Sequence, residues 1–152
     1  RVGSGPFPSE LNDEAGEKLR TIGNEFGATT GRPRRCGWID LVALNYACMI
    51  NGVTKLVMTK ADVLDSFETL QACTAYEING NQSNQVPFQM WKQNVQPVYQ
   101  SFPGWHTDIE QFTQATQLPE AMQQYISFIN NYLHVPIAYI SNGVKRNQII
   151  SL

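Results

Sequence analysis

The 152-residue sequence predicts a mixed α/β fold of short helices, a few strands and a β-hairpin. Three observations predict it. Helix-spaced and strand-like apolar patterns alternate through the first half, an Asn79-Gly80 turn signal follows an extended segment in the middle, and one long amphipathic pattern precedes a short closing strand. With 42% hydrophobic and 16% charged residues the chain can bury a core, and it reads as a single domain over residues 1–152.

Asp13 to Ile22 reads as a helix, with Asp13, Glu14 and Glu17 early, Lys18 and Arg20 late, and Gly23 placed to end it. Gly23 to Gly37 is then a loop. From Trp38 to Ile50, Leu41, Leu44, Ala47 and Cys48 recur at spacings of three and four, which predicts a mostly buried helix stopping at Asn51-Gly52. The apolar run Lys55 to Thr59 predicts a buried strand. Leu70 to Ile78 predicts a strand turning at Asn79-Gly80 and pairing with the segment after Asn84. Pro97 to Pro119 reads as irregular. Pro119 to Leu133 places Met122, Tyr125, Ile126, Ile129 and Leu133 on one helical face, and Pro136 to Ile140 is a last strand before a Ser141-Asn142-Gly143 turn.

Eleven Lys and Arg against thirteen Asp and Glu give a net charge of -2, which argues against a generic nucleic-acid or membrane-surface binder. No run reaches the roughly 18 apolar residues of a membrane span. Three cysteines without a CxxC pair suggest neither a disulfide scaffold nor zinc, and point to a reducing, cytoplasmic setting; Cys48 and Cys73 read as core. His106 and His134 have no partner pattern for a metal and receive no role. The opening Arg1 to Pro8 lacks an apolar leader and reads as an internal loop, so the sequence reads as a piece of something longer.

Two segments carry chemistry. In Gly27-Ala28-Thr29-Thr30-Gly31-Arg32-Pro33-Arg34-Arg35, glycines and hydroxyls precede three guanidinium groups within four positions. The glycines admit close backbone approach, and each arginine can grip a carboxylate or phosphate in a bidentate fork. The same residues read equally as a solvated basic loop pairing with Glu25 or Asp40. Thr59-Lys60-Ala61-Asp62 follows a predicted strand, where ligands gather in open α/β sheets. A carboxylate there can accept from N1–H and the 2-amino group of guanine while the Lys60 stem lies over the base; adenine offers no such pair of donors. Read blandly, Lys60 and Asp62 are a surface ion pair. Ser141-Asn142-Gly143, also after a strand, could contact the same base. There is no GxxxxGK[ST] loop, so this chain alone is not a complete GTPase.

The order of Val2 to Pro8, Gly23 to Gly27, Ala28 to Arg35, Cys36-Gly37-Trp38-Ile39-Asp40, Thr59 to Asp65, Phe102-Pro103-Gly104-Trp105 and Ile140 to Gly143 resembles the carboxy-terminal part of adenylosuccinate synthetases along essentially the whole chain. The resemblance implies part of a larger P-loop-like α/β enzyme. That enzyme uses GTP to phosphorylate the 6-oxygen of IMP, and the amine of L-aspartate then displaces phosphate. It implies that Ala28, Thr29, Thr30, Gly31, Arg32, Pro33 and Arg34 bind aspartate, that Arg32 also reaches IMP, and that Arg34 also contacts GTP and supports the transition state. It implies further GTP contacts from Lys60, Ala61, Asp62, Ser141, Asn142 and Gly143. The catalytic residues proper, the phosphate loop and the Mg2+ ligands are then expected in an amino-terminal part absent here. This piece would be inactive alone, with no nucleic-acid or membrane partner, and the full-length protein a cytoplasmic homodimer. Two positions depart from the family pattern: Ala61 stands where Leu is usual and Asn142 where Thr is common. The competing expectation is a non-catalytic module gripping an acidic protein or RNA backbone through Arg32 to Arg35.

Overall fold

The computed structural model describes residues 1–152. In chain order the elements are α1 (Glu14–Ile22), β1 (Ile39–Asp40), α2 (Leu41–Asn51), β2 (Leu56–Met58), β3 (Thr69–Ile78), β4 (Asn81–Ser83), β5 (Val95–Pro103), α3 (Glu120–Leu133), β6 (Ile137–Ser141) and β7 (Ile149–Ser151). Short 3-10 turns lie at Ala61–Leu64, Met90–Lys92 and Ala115–Gln117. The fold is mixed α/β, as the sequence predicts. The chain divides into two compact units: Arg1–Tyr46 with Gln71–Gln100, and Ala47–Leu70 with Ser101–Leu152.

In the first unit, α1 begins where Asp13 accepts the Gly16 N–H at 3.0 Å and ends at Gly23, whose N–H donates to Leu19. The expected helix from Trp38 starts later, at Leu41. Ile39 and Asp40 instead form β1, parallel to β3 in the register Ile39↔Ala72 and Asp40↔Cys73. Asp40 then caps α2 by accepting from Ala43 N–H at 3.0 Å, which is why the helix cannot begin before it. The Asn79-Gly80 turn is a two-residue hairpin with φ of 52° and 79°, the positive-φ pair such turns demand. It brings Asn81 opposite Ile78, so β4 pairs before Asn84 and not after it. β5 also pairs with β3 and occupies the start of the stretch expected to be irregular. Val42, Cys73 and Tyr76 are buried with Ile78, Val86, Met90, Val95 and Tyr99 packed against them. Burial there raises the Cys73 thiol to about 12, so it is a packed side chain and not a nucleophile.

The second unit holds a three-stranded sheet in the order β2-β6-β7. β2 runs parallel to β6 with Met58 opposite Ile140, and β6 runs antiparallel to β7 with Ile140 opposite Ile150. The expectation of a buried first strand fails: β2 is an edge strand, and Val57 is 52% exposed. The Pro119–Leu133 helix is present from Glu120, and Met122, Tyr125, Ile126, Ile129 and Leu133 are all buried. Phe102 meets Tyr125 and Phe128 edge-on, with centroids 5.1 and 4.8 Å away. His134 closes this helix in the left-handed conformation, its N–H donating to Asn130. No helix is long and apolar enough to cross a membrane.

Candidate functional site

The arginine segment belongs to the first unit. Phe26 and Pro33 face each other in an isolated antiparallel bridge, and Gly27 N–H donates to Arg32 O at 2.8 Å, so the intervening residues form a closed loop. Gly31 turns it at φ 65°, donating to Gly27 O at 2.8 Å, and Arg32 N–H donates to Thr30 Oγ1 at 3.3 Å. Ala28, Thr29, Thr30, Gly31, Arg32 and Pro33 are all exposed.

The three arginines separate into different environments. Arg35 grips Glu10 in a bidentate fork, Nε to Oε1 at 2.8 Å and Nη2 to Oε2 at 2.6 Å. It also donates to Gly5 O at 2.7 Å and lies over the Phe7 ring. This pairing holds the Glu10 carboxyl below its ordinary range. Arg34 Nη1 donates to Glu25 at 2.9 Å, and Arg20 Nε donates to the Arg34 carbonyl at 2.9 Å. The bland reading therefore holds for Arg34 with Glu25. It does not hold for Asp40, which instead accepts the Tyr76 hydroxyl at 2.6 Å. Arg32 extends outward with no carboxylate paired to it.

The second unit brings the other two motifs together. Lys60, Ala61 and Asp62 follow β2, Asn142 and Gly143 follow β6, and the two strands are adjacent and parallel. The turn Ala61–Leu64 lies against β6. Lys60 is exposed and left-handed at φ 56°, a conformation that costs a non-glycine residue about 1 kcal/mol or more. Ala61 is buried. Asp62 is half-buried, and its Oδ1 is shut away from solvent with no hydrogen-bond partner. An orphaned buried acceptor costs about 1–3 kcal/mol.

Ser141 Oγ donates to Gly143 O at 3.2 Å. Asn142 is fully buried, and its amide donates to the carbonyls of Ile109 at 2.6 Å and Phe112 at 3.0 Å. Its Oδ1 is unpartnered too. Gly143 sits so close to Gln148 that any Cβ would collide with that side chain. Asp65, Ile109 and Gln148, which support these loops, were not singled out by sequence reasoning. The one signal was Trp105, whose buried indole N–H demands an acceptor and finds Asp65 at 2.6 Å. Burial raises the Asp65 carboxyl above its ordinary value, against the pull of the Trp105 and Ile109 donors. No group of three His, Cys, Asp or Glu side chains gathers to hold a metal ion.

The sequence model of the adenylosuccinate synthetase family matches residues 1–150. The adenylosuccinate synthetase of Christiangramia forsetii is 50% identical over 151 residues, covering 99% of this chain and 36% of its own length. That of Azobacteroides pseudotrichonymphae is 53% identical over 150 residues, with the same coverage of 99% and 36%. Fully ligated adenylosuccinate synthetase from Plasmodium falciparum superposes with a TM-score of 0.93 at 38% identity, over 100% of this chain and 37% of that one. The chain thus spans little more than a third of the length of the curated relatives it matches.

Proposed function

The chain belongs to the adenylosuccinate synthetase family, and on that footing we propose that it is the carboxy-terminal part of a GTP-dependent ligase that joins IMP to L-aspartate. In this reading residues 28–34 grip the amino acid, and Lys60–Asp62 with Ser141–Gly143 read the guanine of GTP. The observation that carries it is the buried, unpartnered Asp62 Oδ1 at the carboxyl end of β2, beside the end of β6. Guanine supplies N1–H and 2-amino donors to such an acceptor. Adenine presents a lone pair at N1 and leaves the carboxylate unsatisfied.

Arg32 is the outward guanidinium and grips the dianionic aspartate, also reaching IMP. Arg34 keeps donors beyond the one given to Glu25, and these meet aspartate and the GTP phosphates and offset charge that develops as phosphoryl moves. Ala28, Thr29, Thr30, Gly31 and Pro33 shape the loop that presents them. GTP carries the phosphoryl group to the 6-oxygen of IMP, and the aspartate amine displaces it. Magnesium, in this reading, is held by residues outside this chain. The same reading carries a cytoplasmic location and a homodimer with it; three buried, free cysteines fit a reducing compartment. The competing module that binds an acidic protein or RNA backbone is disfavoured, because Glu10 holds Arg35, one of the arginines it would use, in a bidentate fork.

The test is adenylosuccinate formation from IMP, aspartate and GTP by the full-length ligase. Arg32→Ala is expected to raise the aspartate KM by about tenfold or more, as the loss of a charge-assisted contact should. An unchanged aspartate KM and turnover would remove the clamp from the account.

A further inference from the structure

Both base-reading loops are tied to the backbone of one residue, Ile109, which has no exposed surface and offers them the two peptide groups on either side of its Cα. Its N–H donates to Asp65 Oδ2 at 3.0 Å, and its carbonyl accepts from Asn142 Nδ2 at 2.6 Å. Asp65 ends the short turn that carries Asp62, and its own N–H donates to the Asp62 carbonyl at 3.1 Å. Its other oxygen is fixed by Trp105 Nε1 at 2.6 Å. Asn142 stands between Ser141 and Gly143, and its second amide proton goes to Phe112 O at 3.0 Å. The same segment is held once more where Gln148, pressed against Gly143, donates to Glu110 Oε1 at 2.8 Å.

We propose that Asp65 and Asn142 are positioning residues for nucleotide selection, joined through the backbone of Ile109 so that the Lys60–Asp62 turn and the Ser141–Gly143 turn keep a fixed spacing across the purine. This rests on the base-reading role proposed above. A four-residue 3-10 turn has poor hydrogen-bond geometry and little stiffness of its own, so the placement of Asp62 has to come from its neighbours. Hydrogen-bond discrimination between bases requires acceptors held to within a fraction of an ångström. Asn142 suits the task because one amide offers two protons to two carbonyls, where a threonine hydroxyl offers one. Its two amide protons are spent on that brace, while its Oδ1 is left buried without a donor.

The experiment is steady-state kinetics on the full-length ligase carrying Asp65→Asn, Asn142→Ala, both together, or Asp62→Asn. Asp65→Asn is nearly isosteric but turns one amide N–H toward a donor. Each single brace variant is expected to raise the GTP KM about tenfold or more, since Asp65→Asn breaks one hydrogen bond to a buried partner and Asn142→Ala two, while kcat and the KM of IMP and aspartate stay within about twofold. The double variant should lose less than the product of the singles, because both act on the backbone of one residue. Should Asn142→Ala not fold, Asn142→Ser, which keeps a single donor, replaces it with a smaller effect in the same direction. A GTP KM unchanged in the brace variants while Asp62→Asn raises it overturns the brace alone, as does a parallel rise in all three KM values or a multiplicative double variant. An unchanged GTP KM in Asp62→Asn overturns the base-reading role itself, and the brace with it.

Discussion

Arg32, Arg34 and Arg35 are sequence neighbours with three different duties. Arg35 is structural, because its fork on Glu10 and its bond to Gly5 O leave it nothing to offer a ligand at comparable geometry. Arg34 is shared between Glu25 and whatever anion its remaining donors meet, and Arg32 is committed to neither. Thermal unfolding of the full-length ligase should separate them: Arg35→Ala costs about 2 kcal/mol by leaving Glu10 half-buried without its charged partner, while Arg32→Ala leaves Tm unchanged. The acid limb gives the sign. Glu10 titrates below its unfolded value, so its contribution is present above that value and is lost as pH falls through the folded one; Arg35→Ala should abolish this part of the acid dependence. Asp65 works the other way, its burial favouring the folded state at low pH and that benefit fading as pH rises through its raised value. Unfolding midpoints measured from neutral into acid solution, in wild type, Arg35→Ala and Asp65→Asn, check both signs.

Among the elements, those with an unambiguous local code were legible from sequence. The spacing of Met122, Tyr125, Ile126, Ile129 and Leu133 predicts α3, and all five are buried; Asn79-Gly80 predicts a tight turn, and both residues have positive φ. What failed depended on partners. The Lys55–Thr59 run reads as buried, but nothing pairs with the outer edge of β2, and the polar, proline-bearing β5 is held extended by its pairing with β3. The start of α2 shifted because β3 recruits Ile39 and Asp40 as a strand. Gly104 shows how tightly β5 delivers the chain to Trp105: a Cβ there would strike the Phe67 carbonyl oxygen, an atom with no freedom to move aside. Gly104→Ala is therefore expected to destabilise the protein by about 3 kcal/mol, whereas Gly80→Ala, which meets open space and only a strained φ, costs about 1 kcal/mol. Urea midpoints of the two variants, compared with wild type, test that order.

Across the whole chain, each of the two compact units carries one part of the proposed chemistry, the first an arginine loop and the second a guanine reader. The motif residues of both were visible in the sequence because each lies within a few positions of its fellows. The brace behind the guanine reader was not, since Asp65 and Asn142 reach Ile109 across 44 and 33 residues and no local pattern encodes such a meeting. The central claim is that Asp62 awaits the donors of guanine. Its most direct test is the ratio of kcat/KM for GTP over ATP in the full-length ligase, wild type against Asp62→Asn. The account predicts a wild-type preference on the order of 10⁴ that falls by at least about a hundredfold in the variant, through loss of GTP activity. A ratio that survives the substitution intact would contradict it.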